Sequence, residues 1–188
     1  MKTERFYVVR KLLDGLYLLG GIASGCFLVA ILGLMMGLSL GRLLGIDIPA
    51  GDDFAAWCMA ACAFLGLAYT FRSGDMIRVG LLVDKLEGRA RWAAECLCLV
   101  VALGFVGFFA FHAVEFTRMS WVLNDRATGV VAMPLWIPQL GYSGGLVLLA
   151  VALLDELVHV GMGGAPRYEK PKPQTAEEVI ERAIQSAV

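Results

Sequence analysis

The sequence predicts an all-α integral membrane protein with four transmembrane helices, short interfacial amphipathic helices, and both termini in the cytoplasm. Three observations carry this. No Asp, Glu, Lys, Arg or His lies between Asp14 and Arg42, between Asp53 and Arg72, or between Arg126 and Asp155, and His112 alone interrupts the run from Glu95 to Glu115. Each run can supply the roughly 20 apolar residues that cross a hydrocarbon core of about 30 Å. Thirteen of the sixteen Lys and Arg residues fall before the first run, between the second and third, or after the fourth; the exceptions are Arg42, Arg118 and Arg126. Basic residues mark cytoplasmic flanks, which places both termini and the middle connection inside. Finally, 59% of the 188 residues are hydrophobic and only 18% are charged, with a mean hydropathy of +0.71, so a water-soluble surface could not cover such a core.

The predicted organisation is an interfacial N-terminal helix (1–15), a four-helix membrane domain (16–160) with spans at about 16–40, 54–71, 92–114 and 138–160, and a cytoplasmic linker with a short helix (161–188). In the first segment Phe6, Val9, Leu13 and Leu16 recur at helical spacing among basic residues, which suits a helix in the inner interface. The first span carries Gly21, Gly25, Gly33, Gly37 and Gly41 in one four-residue register, and small residues so spaced let helix backbones approach closely in lipid. Asp52 and Asp53 open the second span, where a carboxylate can cap the helix and favour its positive dipole end. After Phe71, the turn from Arg72 to Arg78 places Arg72 and Arg78 to reach lipid phosphates while Asp75 pairs with one of them. An amphipathic arm over 81–91 follows, with Val79, Leu82, Val83 and Leu86 on one face. Pro138 suits an early position of the fourth helix. Thr175 to Glu178 reads as a capping box for a short helix with Val179, Ile180, Ala183 and Ile184 on one side.

Several function classes are disfavoured. The first run is too long for a typical signal-peptide core. Cys58 and Cys62 belong to the outer half of the second span and Cys96 and Cys98 to the inner end of the third, too far apart for one metal. His112 and His159 lie toward opposite ends, which argues against a haem held between them. Glu115, one turn after His112, is the one carboxylate that invites a proton-relay reading, but its place near the outer interface favours snorkelling or a helix-end hydrogen bond. The two halves of the chain do not resemble each other and no proline interrupts a span at mid-depth, so the signs of a free-standing transporter are missing. Nothing suggests an enzyme, a cofactor or a nucleic-acid site. The chain reads as one part of a larger assembly.

Two segments carry a family resemblance. Gly51-Asp-Asp-Phe through Phe64-Leu-Gly-Leu-Ala-Tyr-Thr-Phe-Arg72-Ser-Gly-Asp-Met-Ile-Arg78-Val-Gly-Leu-Leu-Val-Asp84 resembles the second span and following arm of the small membrane subunit of tripartite ATP-independent periplasmic (TRAP) transporters. Thr128-Gly-Val-Val-Ala-Met-Pro134-Leu-Trp136-Ile-Pro138 is similar to the stretch before that family's fourth span. Met76 and Gly80 depart from the histidine and aspartate expected in the turn. The resemblance implies a non-catalytic subunit in the bacterial inner membrane. Its partners would be a large membrane subunit, which binds sodium and substrate, and a periplasmic binding protein that delivers organic acids for sodium-coupled symport. On this reading Gly21, Gly25, Gly33 and Gly37 pack against the large subunit, and the outer charges Arg42, Asp52, Asp53, Arg118 and Arg126 help dock the binding protein. The competing reading is a stand-alone four-helix membrane protein, either a small transporter or an anchor for a membrane enzyme. The transported substrate is not readable from this chain.

Overall fold

A computed structural model of the chain describes residues 2–46, 49–74, 88–129 and 131–163. It consists of four helices, α1 (Lys2–Leu43), α2 (Gly51–Ser73), α3 (Gly88–Val122) and α4 (Trp136–Gly161), each containing a stretch long and apolar enough to cross a membrane. Asp47, Asp75, Arg78, most of the expected arm and the expected C-terminal helix lie outside the described residues; the arm's last residues, 88–91, form the first turn of α3.

Two helices exceed the expected spans. The segment expected as a separate interfacial helix and the first span are one unbroken helix of 42 residues. No proline interrupts it, and Gly15 alone costs only about 1 kcal/mol relative to alanine. At 1.5 Å per residue α1 is about 60 Å long, twice the hydrocarbon thickness, so part of it extends beyond the core or runs obliquely. The 35 residues of α3 likewise outlast the expected 92–114. Glycines end two of the helices. Gly45 (φ 71°) and Gly74 (φ 71°) adopt the left-handed conformation that releases the chain from α1 and α2.

Adjacent helices are packed in the order α1, α2, α4, α3, a single row with the middle places taken by α2 and α4. Contacts along the helices fix their directions. Leu38 lies over Gly51 and Tyr69 over Gly21, so α1 and α2 are antiparallel. Ala61 meets Gly141, Phe64 meets Gly145, and Ala68 shares a small core with Ala152, so α2 and α4 are parallel. Trp92 at the start of α3 donates from Nε1 to the carbonyl of Val160 at the end of α4 (2.9 Å), so that pair is antiparallel. The 44–50 and 123–135 connections therefore share one end of the row, the loop end, while the described ends nearest the N-terminus, the middle connection and the tail share the other. Burial follows the order: 6% and 17% of the apolar windows of α1 and α3 are buried, against 22% and 33% for α2 and α4. Among the described residues the row leaves large apolar side chains exposed on all of its helices, as Leu32, Met36, Met59, Phe105 and Leu154 illustrate.

The close crossing of the middle pair depends on glycine. A Cβ at Gly145 would overlap the backbone of Phe64 and Leu65, and one at Gly141 would overlap Ala61. Gly141 and Gly145 are four residues apart, the spacing that brings backbones together in lipid.

Candidate functional site

The charged residues that end the apolar runs converge opposite the loop end. Arg72, in the last turn of α2, directs Nε and Nη2 to Oδ1 of Asp14 on α1 (3.1 and 3.0 Å). Its Nη1 lies 3.7 Å from Oε2 of Glu156 and 3.9 Å from Oδ2 of Asp155 on α4. One guanidinium thus joins three helices. Asp14 is half exposed, whereas the Glu156 side chain is 3% exposed, so the contacts differ in strength: an exposed pair contributes about 0–1 kcal/mol, while a buried carboxylate stripped of its cation is costly. The buried side chain of Tyr17 seals the α1 side of this region against Ala68 and Ala152. The sequence reading has Arg72 reaching for lipid phosphates, and in the structure its guanidinium lies against these carboxylates. Its side chain is only 22% exposed and turns inward, because the carboxylates of α1 and α4 stand at the same level of the row. Arg91 and Glu95 on α3 form a further pair nearby in sequence to Trp92 (3.2 Å).

The loop end gathers the other charged candidates. Arg42 and Asp52 are 3.6 Å apart and both largely exposed. Asp53 sits against Gly129 of the 123–135 connection, linking the two loops. The expected side-chain cap is absent: the N-cap position of α2 is Ala50 (φ 64°), which makes no side-chain hydrogen bond. Asp52 and Asp53 instead occupy the first turn, beyond the cap position, where their charge still favours the helix dipole. Arg118 approaches Glu115 at 4.0 Å, one turn back on α3. Arg126 is exposed and pairs its backbone with Pro134 in an isolated antiparallel bridge. That bridge is flanked by Leu135 N–H to Asp125 O (3.0 Å) and Ala127 N–H to Met133 O (2.9 Å), so the loop holds a defined shape. Trp121 and Trp136 form a tilted pair at its base, with ring centroids 4.6 Å apart and ring planes at 45°.

The glycine register of α1 divides in two. Gly21 is covered from within the chain by the Tyr69 ring, where a Cβ would lie 2.8 Å from Cγ. Tyr69 thus already occupies the space beside Gly21 within this chain. Gly25, Gly33 and Gly37 have nothing within 4 Å of an added Cβ. The α1–α2 contact also uses Gly20 and Ser24, whose Oγ donates to the carbonyl of Cys62 at 2.7 Å.

The sequence reasoning passed over Gly141 and Gly145, and over Asp14, Asp155 and Glu156 as partners of Arg72. A signal for the second group was present. Asp14, Arg72 and Asp155 each bound a charge-free run, and the alternating topology puts all three boundaries at the same end.

The family described as Tripartite ATP-independent periplasmic transporters, DctQ component, matches residues 25–160. The chain belongs to this family. It is a small membrane component of a TRAP transporter and a multi-pass protein of the inner membrane. A comparison with curated proteins found no match. The matched stretch runs from within α1 to the end of α4 and includes Arg72, Asp155 and Glu156, whereas Asp14 precedes it.

Proposed function

We propose that this subunit performs no chemistry itself, widens the static scaffold around a large sodium- and substrate-binding membrane subunit, and helps seat a periplasmic binding protein that delivers organic acids. The observation that carries the reading is the row. Four helices in one layer leave broad apolar surface that the other described residues do not cover, and a row braced at one end by Arg72 can present such a face rigidly. In lipid, packing against another protein requires close approach more than hydrophobicity, and Gly25, Gly33 and Gly37 leave open space for it. Replacing both Gly33 and Gly37 by Leu is expected to leave this chain folded, since a Cβ added at either meets nothing within 4 Å among the described residues, and to reduce co-purification of the large subunit sharply. Undiminished co-purification would remove this face as the interface.

The orientation proposed is both termini cytoplasmic, from the basic bias of the tails and the middle connection. Reporter fusions at Val188 and near Asp47 are expected to score on opposite sides of the membrane, with Val188 inside. A periplasmic Val188 would invert the whole reading.

In that orientation the loop end faces the periplasm, with Arg42, Asp52, Asp53, Arg118 and Arg126 exposed or partly exposed there. Rim charges act mainly on encounter rate and are screened by salt. Reversing Arg118 and Arg126 to Glu is expected to slow uptake several-fold at low binding-protein concentration, with recovery in excess binding protein. Normal uptake at every concentration, in a correctly assembled complex, would confine the subunit to scaffolding.

A further inference from the structure

An open cavity of 740 Å³ lies along one face of the row, between α3 and α4, with Leu65 of α2 at its inner side. Along α4 its wall is Leu140, Gly144, Val147 and Leu148, and the paired Trp121 and Trp136 line it together with Arg118. The two hydroxyls in the wall are occupied. Thr117 Oγ1 donates to the carbonyl of Ala113 and Ser143 Oγ to that of Gln139, each at 2.8 Å. The interior therefore offers an occupant hydrocarbon contact and little else.

Dimensions and charge distinguish the occupants. From Trp136 to Leu148 the wall is about 18 Å long at 1.5 Å per residue, close to the ~15 Å hydrocarbon depth of one leaflet. Paired tryptophans commonly stand at the headgroup level, so the groove runs from the headgroups toward the bilayer centre. At that level Arg118 has a side chain 72% exposed, with the Glu115 carboxylate 4.0 Å away. A guanidinium so placed can take two oxygens of a phosphate at once. We propose that the groove holds one acyl chain of a phospholipid from the leaflet at the loop end, with the lipid phosphate against Arg118. The site requires only that the chain is in a membrane and does not depend on the scaffold role proposed above. Gly144 forms part of its wall, and an added Cβ there meets nothing within 4 Å, so a large side chain can fill the groove without displacing the helices.

The test is native mass spectrometry of the purified full chain, delipidated and then exposed to mixed micelles with equal phosphatidylglycerol and phosphatidylcholine, in the absence of binding protein. Wild type is expected to retain one phospholipid with a preference for phosphatidylglycerol. Gly144→Phe is expected to lower retention at least tenfold, and Val147→Trp provides a second block should the first variant elute as aggregate. Arg118→Gln is expected to keep a lipid and lose the headgroup preference about threefold. Gly104→Phe, at an open position of α3 outside this groove, is expected to change nothing. Equal retention in wild type and the blocked variant would overturn the proposal, as would equal losses from Gly144→Phe and Gly104→Phe. It would also be overturned if Gly144→Phe left lipid retention intact but prevented assembly with the large subunit, since a protein helix would then be the occupant.

Discussion

Replacing Arg72 by Met is expected to destabilise the folded chain by about 1–3 kcal/mol, because it removes one of the cationic groups, alongside His159, that face the buried Glu156 carboxylate. The guanidinium faces Asp14, Asp155 and Glu156 on two other helices, yet the loss should come chiefly from Glu156, the most buried of the three carboxylates. Asp14, half exposed, contributes no more than about 1 kcal/mol by the standard of solvent-accessible pairs. A double-mutant series separates these terms. Asp14→Asn should be nearly neutral, and Glu156→Gln introduced into the Arg72→Met background should restore a large part of the lost stability, because an uncharged amide no longer needs the cation. Thermal unfolding of the purified chain in one detergent, followed by size-exclusion chromatography, measures all four proteins. If the second substitution restores nothing, the brace does not work through Glu156.

Substituting alanine for Gly145 is expected to cost about 1–3 kcal/mol, the range for forcing extra carbon into a packed contact. The added Cβ would lie closer than 3.0 Å to three backbone atoms of Phe64 and Leu65. Backbone cannot rotate aside as a side-chain tip can, so α2 and α4 must part and lose packing along the crossing. Gly144→Ala is the matched control. It adds the same methyl group one residue away into open space, so a change within about 0.5 kcal/mol is expected there. The same unfolding assay distinguishes them, and equal stability of the two variants would show that the helices do not meet closely at Gly145. The assembly consequence should follow in proportion, since α2 and α4 are the two middle members of the row.

The runs bounded by Asp14, Arg42, Arg72, Asp155 and their counterparts marked four spans, because the hydrocarbon core excludes charge whatever the tertiary arrangement. Helix ends were less legible: nothing in the chemistry of Gly15 could show whether the N-terminal amphipathic segment was separate from the first span, and the two proved continuous. The family was legible in the segments around Arg72 and Trp136, and the match over residues 25–160 agrees with it. Glycine spacing identified helices able to approach closely but not which glycines are used. Gly21 is consumed by Tyr69, Gly145 by Phe64, and Gly33 by nothing among the described residues.

By itself the sequence determined four membrane-crossing helices, their family, and which connections share an end, since these depend on hydropathy, length and alternation along one dimension. Tertiary structure alone decided that the helices form a row in the order α1, α2, α4, α3 and that Arg72 turns inward to Asp14 and Glu156. It alone also opened a groove between α3 and α4. All three depend on which face each helix turns to its neighbours. In lipid nearly every face is apolar, so the pattern of polar and apolar residues that orients a helix in water carries little information, and only close packing chooses among the rotations.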